Sequence, residues 1–532
     1  MPDINDLPED VLEQILLKAA ATPAKTLAKW KAKLPLLAVC RTWTKLAIGA
    51  VFNQVYVELL YSPDNSYMWT SNANLYISRG CVLMAQSLVI EWEDEATIDH
   101  LRFIVLDVLK LDRVDWQLIN TLTIARRAQT HCRSVQSFSH YEPLVTNVAR
   151  ILQYFRQNLR NIVELDISIL RHVPVGEYLY DSLFTYYGGQ LQVLRAGRPI
   201  SFPASCFMKS IQVLELSLDP SAVLHLPWVC GETLKALRLV NVPHNFTWHN
   251  FCHNLFIRPI IFRQLTSLRL AYEEEDEELT EGEIQERVDL GAQYCDQLQF
   301  PALKYLAVDK CTPDCDLLYM TLPFPELERV KLSGTAKSIL HCGRLKLTWV
   351  GTLHVWVNAS KSDTSTDIHR ATNHLFSDIC IGRTLFLGIW NESFILDPDV
   401  ICWINLTKLE LKRASYATVC KAIGRLPNLG ELIIRYFEFG DMVTGRFYAE
   451  PSLFISSDAL LAWGEKIDMV QIYVFVDACP FTVYCSGIQA LILHMGALKY
   501  LYLPQSINQP VAMVINSYKD RYPHLAKIQL LD

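Results

Sequence analysis

Residues 300–308 read FPALKYLAV, and 24 residues later positions 324–332 read FPELERVKL. Both carry an aromatic–proline lead-in followed by three apolar positions, Leu303, Leu306 and Val308 in the first and Leu327, Val330 and Leu332 in the second. In an extended strand side chains alternate, so the last two apolar residues of each copy share one face. The proline ends any preceding helix and holds the residue before it extended. The same lead-in recurs as LPNLGEL at 426–432 and YPHLAKI at 522–528.

Working outward, the apolar-x-x-apolar-x-apolar pattern returns along most of the chain. Copies stand at Ile162-Leu165-Ile167, Ile211-Leu214-Leu216, Leu234-Leu237-Leu239, Leu265-Leu268-Leu270 and Val350-Leu353-Val355. Later ones are Leu406-Leu409-Leu411, Leu429-Leu432-Ile434, Leu498-Leu501-Leu503 and Leu525-Ile528-Leu530. Weaker copies are placed at Leu191-Leu194-Ala196, Thr384-Leu387-Ile389 and Met469-Ile472-Val474, and two looser ones at Ala85-Leu88-Ile90 and Ile119-Leu122-Ile124. From Ile162 onward the steps between copies run from 20 to 40 residues. Between them the spacing predicts helices at 143–155, 416–423, 458–466 and 510–518. One strand–helix unit cannot bury its own apolar face, whereas stacked units bury it jointly. A doubly wound α/β domain also alternates strands and helices. It is disfavoured because no Gly-x-Gly-x-x-Gly or Gly-x4-Gly-Lys-Ser/Thr loop follows any strand, and because one internal spacing persists over about 370 residues.

The repeat resembles the irregular leucine-rich repeats of the ribonuclease-inhibitor-like class, without their asparagine-bearing consensus. The resemblance implies an α/β fold: a horseshoe solenoid of strand–helix units over 159–532, with 59–158 a transition region holding early repeats.

Composition supports a core-rich chain. Of 532 residues, 51% are apolar and 20% charged, which is unlike a disordered segment. A net charge of −7 and a pI near 6.1 give no overall attraction to nucleic acid or anionic membrane. No window approaches eighteen uninterrupted apolar residues, so no membrane span is expected. Asp3, Asp6, Glu9 and Asp10 stand where an export signal would be basic and then apolar. The fifteen cysteines form no Cys-x-x-Cys pair, which points to reduced, packed thiols in a cytoplasmic or nuclear setting. Without an export signal the sequons at Asn245, Asn358, Asn391 and Asn405 are read as chance matches.

Residues 1–58 leave the repeat pattern. Asp6 suits a helix N-cap, Pro8 the first turn and Glu9 the capping-box position. Val11, Leu12, Ile15 and Leu16 then form an apolar stripe. A second segment, LPLLAVCRTWTKLA at 34–47, sets Leu36, Val39, Cys40, Trp43 and Leu46 on a face of their own.

LPEDVLEQILLKA followed by LPLLAVCRTWTKLA resembles an F-box, a helical module of about fifty residues. The spacer from Thr22 to Lys33 is longer and more lysine-rich than the family pattern, which leaves its middle helix unplaced. The resemblance implies binding to the Skp-family adaptor of Skp–cullin–F-box ubiquitin ligases and, through it, to a cullin. Leu7 and Pro8 would enter an apolar groove of the adaptor. Ile15, Leu16 and Trp43 would be the larger anchors, with Val11, Leu12, Val39 and Cys40 beside them. The plainer reading is that these side chains seal the apolar end of the repeat array.

No catalytic constellation stands out. HExxH, GxSxG and P-loop patterns are absent. His249-x2-Cys252-His253 lacks a partner pair for a metal, and Cys311 with Cys315 reads as packing. No enzyme activity, metal or cofactor is expected. The strongest charge feature is the acidic run Glu273 to Glu278, including Glu274, Glu275 and Asp276, read as a solvated loop or a docking surface for a basic segment. In this repeat class the residue between the last two apolar positions faces the concave side. Those residues include Asp166, Arg195, Glu215, Arg238, Arg269, Ala307, Lys331 and His354. Arg238, Arg269 and Lys331 are therefore nominated, with the acidic run, for contact with a target.

The expected function is the substrate-recognition subunit of a Skp–cullin–F-box ligase, a monomer within a hetero-complex that binds an unidentified target protein and neither nucleic acid nor membrane. Such a subunit acts by raising the local concentration of its target. The alternative is a non-catalytic repeat scaffold that works without ubiquitylation.

Overall fold

In most copies the three apolar positions are buried together, and this determines the architecture. In FPELERVKL, Leu327, Val330 and Leu332 have no solvent exposure, while Glu328, Arg329 and Lys331 are exposed. The computed structural model describes residues 11–12, 14–15, 31–32, 34–38, 44, 47–49, 51–61, 67–92, 102–126, 152–167, 183–184, 186–197, 210–218, 230–243, 246, 248, 260–273, 282, 298–312, 315–320, 322–358, 365–376, 379–389, 405–415, 426, 428–438, 440–441, 446–447, 469–475, 498–503, 505–521 and 523–531. The chain divides into two units, Met1–Val240 with Asn250–Asn254, and Asn241–His249 with Leu255–Asp532. Both are α/β and dominated by parallel strands, and neither forms a closed barrel.

The first unit holds β1 (Gln54–Tyr61), β2 (Tyr67–Ser71), β3 (Ser87–Trp92), β4 (Thr121–Arg126), β5 (Glu164–Ile167), β6 (Val193–Ala196) and β7 (Val213–Ser217). Strand β8 (Ala236–Val242) pairs with β7. Among the described residues of this unit only the β1–β2 hairpin is antiparallel; β1, β3 and β4 to β8 follow one another in parallel. Val55, Leu88, Leu122, Leu165, Leu194, Leu214 and Leu237 align as one buried row. The ladder thus begins at Phe52-Val55-Val57, a copy not expected from the sequence. The boundary drawn at residue 58 falls inside β1, and β3 and β4 carry the ladder without a break through the region read as transitional.

The second unit holds β9 (Ile260–Ile261), β10 (Ser267–Tyr272), β11 (Leu298–Gln299), β12 (Tyr305–Asp309), β13 (Leu327–Gly334), β14 (Trp349–Val357), β15 (Cys380–Ile389) and β16 (Lys408–Ser415). After these come β17 (Glu431–Glu438), β18 (Gly440–Asp441), β19 (Arg446–Phe447), β20 (Met469–Phe475), β21 (Tyr500–Tyr502) and β22 (Gln529–Leu531). Strands β10, β12 to β17 and β20 to β22 pair in that order, all parallel. Leu268, Leu306, Val330, Leu353, Leu385, Leu409, Leu432, Val470, Leu501 and Leu530 stand in one row. A buried aliphatic side chain contributes about 1.5–3 kcal/mol, so rows of this length supply most of the cohesion.

The register corrects two weak copies. Leu385 and Leu387 align with Leu353 and Val355, and Val470 and Ile472 align with Leu432 and Ile434. The apolar spacing alone sets each weak copy two residues too late. A two-residue slip keeps inward residues inward but moves every outward residue to the wrong row. The cause in β15 is a bulge opposite Val350–Thr352 that adds a residue to the strand.

The aromatic lead-in has its own physical role. Phe262, Phe300 and Phe324, each three residues before the first apolar position, stack in succession with centroids 5.4 and 6.2 Å apart. Trp248 meets Phe262 and Phe300 edge-on. Leu347 and Leu426 fill the same position in later copies and are buried. Backbone carbonyls tie each copy to the next. The carbonyls of Asn53, Gln86, Asn120, Val163, Gln192, Gln212, Thr266 and Thr407 each accept two successive backbone N–H groups from the next copy.

Helices cover the apolar side. The helix Ser365–Phe376 buries Ile368, Ala371, Thr372, Leu375 and Phe376, a stripe at helical period. It packs on the helix Ala336–Cys342, whose N-cap Thr335 accepts a hydrogen bond from the Ser338 N–H at 3.2 Å. The helix expected at 510–518 is present but starts earlier, at Gln505, with Pro510 inside it. Of the expected 143–155 helix, residues 152–155 are helical and the helix continues to 158, while 143–151 lie outside the described residues. The helices expected at 416–423 and 458–466 lie outside the described residues. Among the described residues no helix is long and apolar enough to cross a membrane.

Candidate functional site

With one face of each strand committed to the core, the outward residues i+2, i+4 and i+6 of each copy form rows across the opposite face. In the first unit the middle row reads Asp166, Arg195, Glu215, Arg238. Its charges alternate and close on themselves. Arg195 contacts Glu164 at 2.5 Å and Asp166 at 4.0 Å, and Arg238 contacts Glu215 at 2.5 Å. Burial acts to lower the Arg195 pKa, but the hydrogen bond and charge of Glu164, helped by Asp166 and Glu215, raise it overall. Arg238 is therefore a neutralised member of a ladder rather than part of a basic patch.

In the second unit the middle row reads Arg269, Ala307, Lys331, His354, Phe386, Glu410, Ile433. Arg269 and Lys331 are exposed, as is Arg329 in the adjoining row, where it aligns with Tyr305 and Thr352. An aromatic platform follows. Trp356 and His354 of β14 both stack on Phe386, with centroids 5.8 and 5.4 Å away and interplanar angles of 8° and 26°. The Lys412 ammonium stands 3.9 Å from the centre of the Trp356 ring, a cation–π distance. The Trp356 indole N–H donates to Asn358 Oδ1 at 2.6 Å. Burial, then the charge of Arg329 and also that of Lys331, lower the His354 pKa against an opposing pull from Glu410, which favours a neutral ring. Beyond the platform, Lys408 pairs with Glu431 and Arg435 with Glu410, each at 2.5 Å.

This platform escaped sequence reasoning. Placing the β15 copy two residues late put Gly388 in the row that Phe386 occupies. Trp356 lies at i+6, outside the one position per copy that the sequence reading followed. The signal was present as TLHVWV, a strand whose outward residues enlarge along its length.

At the N-terminal module, Val11 and Ile15 lie on helical backbone and are each 39% exposed, while Leu12 is buried. Leu7, Pro8, Leu16, Val39, Cys40 and Trp43 lie outside the described residues. So do Glu274, Glu275 and Asp276 of the acidic run, and His249, Cys252 and His253. Cys311, Cys315 and Cys342 are free and buried. Contacts with the Cys315 and Cys342 thiols, together with burial, hold Cys311 well above the usual thiol value, and the Tyr272 hydroxyl donates to Cys315 Sγ at 2.8 Å. Enclosed in this way, the three cysteines behave as small packing groups.

Compared with known proteins, the chain matches no protein-family model, and no curated protein is significantly similar to it.

Proposed function

We propose that this protein is the substrate-recognition subunit of a Skp–cullin–F-box ubiquitin ligase, in which an N-terminal F-box holds the Skp-family adaptor and a leucine-rich-repeat horseshoe presents a target. The observation that carries the reading is a pairing of features. Leu7-Pro8 and Val39-Cys40-Arg41-x-Trp43 precede a long ladder of parallel strands with one face left polar and aromatic. Exposed Val11 and Ile15, one helical turn apart, suit a face that an adaptor covers. The repeat spacing and buried rows suit a ribonuclease-inhibitor-like solenoid, whose stacked units bury a shared core. Such a receptor needs no catalytic group or cofactor and works where its adaptor and cullin are found, in cytoplasm or nucleus.

The test is co-expression of the full chain with a Skp-family adaptor, followed by purification. A stable complex that is lost in Leu7→Asp or Trp43→Ala, with unchanged circular dichroism, supports the receptor. A wild-type chain that never retains the adaptor overturns it and leaves the scaffold reading. Ubiquitylation of co-purifying proteins by the reconstituted ligase then separates receptor from scaffold.

A further inference from the structure

We propose that the open face of β10 and β12–β15 binds an extended acidic polypeptide segment that carries an aromatic side chain beside its carboxylates. This deepens the receptor reading by naming the chemistry of the target, and it rests on that reading for its biological sense.

The argument is a charge inventory of one face. Where neighbouring strands carry opposite charges on this face, they pair: Lys408 with Glu431 and Arg435 with Glu410, each at 2.5 Å. Arg269, Arg329 and Lys331 differ. All three are exposed, and among the described residues none has a carboxylate within ion-pairing distance. Arg329 and Lys331 project from the same face of β13. Arg269 stands in the row of Lys331, with small Ala307 between them. Two strand spacings separate Arg269 from Lys331, about 10 Å, which three residues of extended chain span. Guanidinium and ammonium groups placed this way match carboxylates along a strand-crossing segment.

Beyond the cations, the same row enters the platform of His354 and Phe386, with Trp356 stacked alongside. Aromatic surfaces of this kind supply much of the energy of protein interfaces. A segment crossing the strands therefore meets cations first and flat apolar rings next. Single-stranded nucleic acid also uses cations and stacking, but it needs a positive groove that follows its backbone. Here Glu410 stands in the row beyond Phe386, Asp309 lies beside Ser333 and accepts its hydroxyl at 2.7 Å, and the whole chain carries −7. That balance favours a peptide.

The experiment uses the full-length chain and fluorescence anisotropy. The probes are a labelled peptide of about twelve residues with alternating Glu and Phe, its Lys-for-Glu counterpart, and an oligouridylate of similar length. Expected are binding of the acidic peptide, little binding of the basic one, and an affinity that falls with added salt. Arg329→Glu/Lys331→Glu is expected to weaken binding at least about tenfold, and Trp356→Ala/Phe386→Ala to weaken it with less salt dependence. Circular dichroism and unfolding midpoints show whether each variant folds. Where Trp356→Ala/Phe386→Ala fails to fold, Phe386→Leu with a retained fold replaces it.

Equal binding of acidic and basic peptides, or wild-type affinity in Arg329→Glu/Lys331→Glu, overturns the proposal. Tighter binding of the oligouridylate through the same residues also overturns it. So does acidic-peptide binding that emerges only when Glu273–Glu278 are replaced by Gln, since the chain's own acidic run would then be the occupant. Adaptor retention by Arg329→Glu/Lys331→Glu is measured in parallel. A chain that retains the adaptor but ignores the peptide fails here alone, and one that binds the peptide without any adaptor fails the ligase reading alone.

Discussion

Lys412 and Trp356 meet across an intervening strand, with the ammonium 3.9 Å from the ring centre. Position 388 on β15, directly paired with Trp356, is glycine, and a Cβ built there would lie 2.7 Å from Trp356 Cε3 and 3.3 Å from the Phe386 ring. The absent side chain is what lets the indole lie flat against Phe386. Gly388→Ala is expected to destabilise the chain by about 1–3 kcal/mol through forced ring displacement. Gly189→Ala, where nothing lies within 4 Å of the new methyl group, is the control and is expected to shift the urea midpoint little. A Gly388→Ala midpoint equal to the control would show that the ring moves freely.

The apolar rows make a graded expectation. Leu353 is fully buried in the middle of its row, with neighbours on β13 and β15. Leu530 is half-buried on β22, which among the described residues pairs with β21 alone. Leu353→Ala is expected to cost about 2–5 kcal/mol by lost transfer energy and the cavity left behind. Leu530→Ala is expected to cost about 1 kcal/mol or less, because water already reaches it. Equal costs would argue against a ladder whose interior rungs carry the stability.

The reason so much of the ladder was legible is visible in FPALKYLAV and FPELERVKL. A strand buried on one face must alternate, and a repeat must keep its phase to stack. Leu306 and Val330 therefore announce their own register. What escaped was set by smaller perturbations. The bulge in β15 moved Phe386 into a row where Gly388 had been expected, and Phe52-Val55-Val57 was absorbed into the helical module because it follows it without a break. The face chemistry was less legible still. Arg238 and Arg269 look alike in sequence, yet only Arg238 has Glu215 on the next strand to neutralise it. Pairing across strands depends on register, which single-copy spacing does not fix.

The alternating row of the first unit is expected to contribute little stability. Glu215 lies one strand from Arg195 and one from Arg238, and both arginines are about a third or more exposed. Exposed ion pairs gain about 0–1 kcal/mol, and salt weakens them. Glu215→Gln is therefore expected to lower the unfolding free energy by less than about 1 kcal/mol, with the difference vanishing at high salt. A double-mutant cycle of Glu215→Gln with Arg238→Gln measures the pair directly. A coupling well above that range would mean that the row is held as a rigid network.

His341 gives the clearest pH dependence. Its ring is buried on the helix Ala336–Cys342, and its Nε2 has no hydrogen-bond partner among the described residues. Burial first, then the nearby charges of Arg344 and Lys337, push its pKa down to about 4 from the usual 6.5. The unfolded chain takes up a proton near pH 6.5, whereas the folded chain resists protonation until about 4. The unfolded state therefore binds more protons throughout that window, and stability must rise with pH across it. The contribution is complete above about pH 6.5 and is lost as pH falls toward 4, amounting to about 3 kcal/mol over the full window. His341→Leu keeps an apolar side chain in the pocket and removes the titrating group. Its stability is expected to vary less between pH 7 and 4.5 than that of the wild type, as followed by urea unfolding at fixed ionic strength. An undiminished slope in His341→Leu would assign the acid sensitivity to other groups.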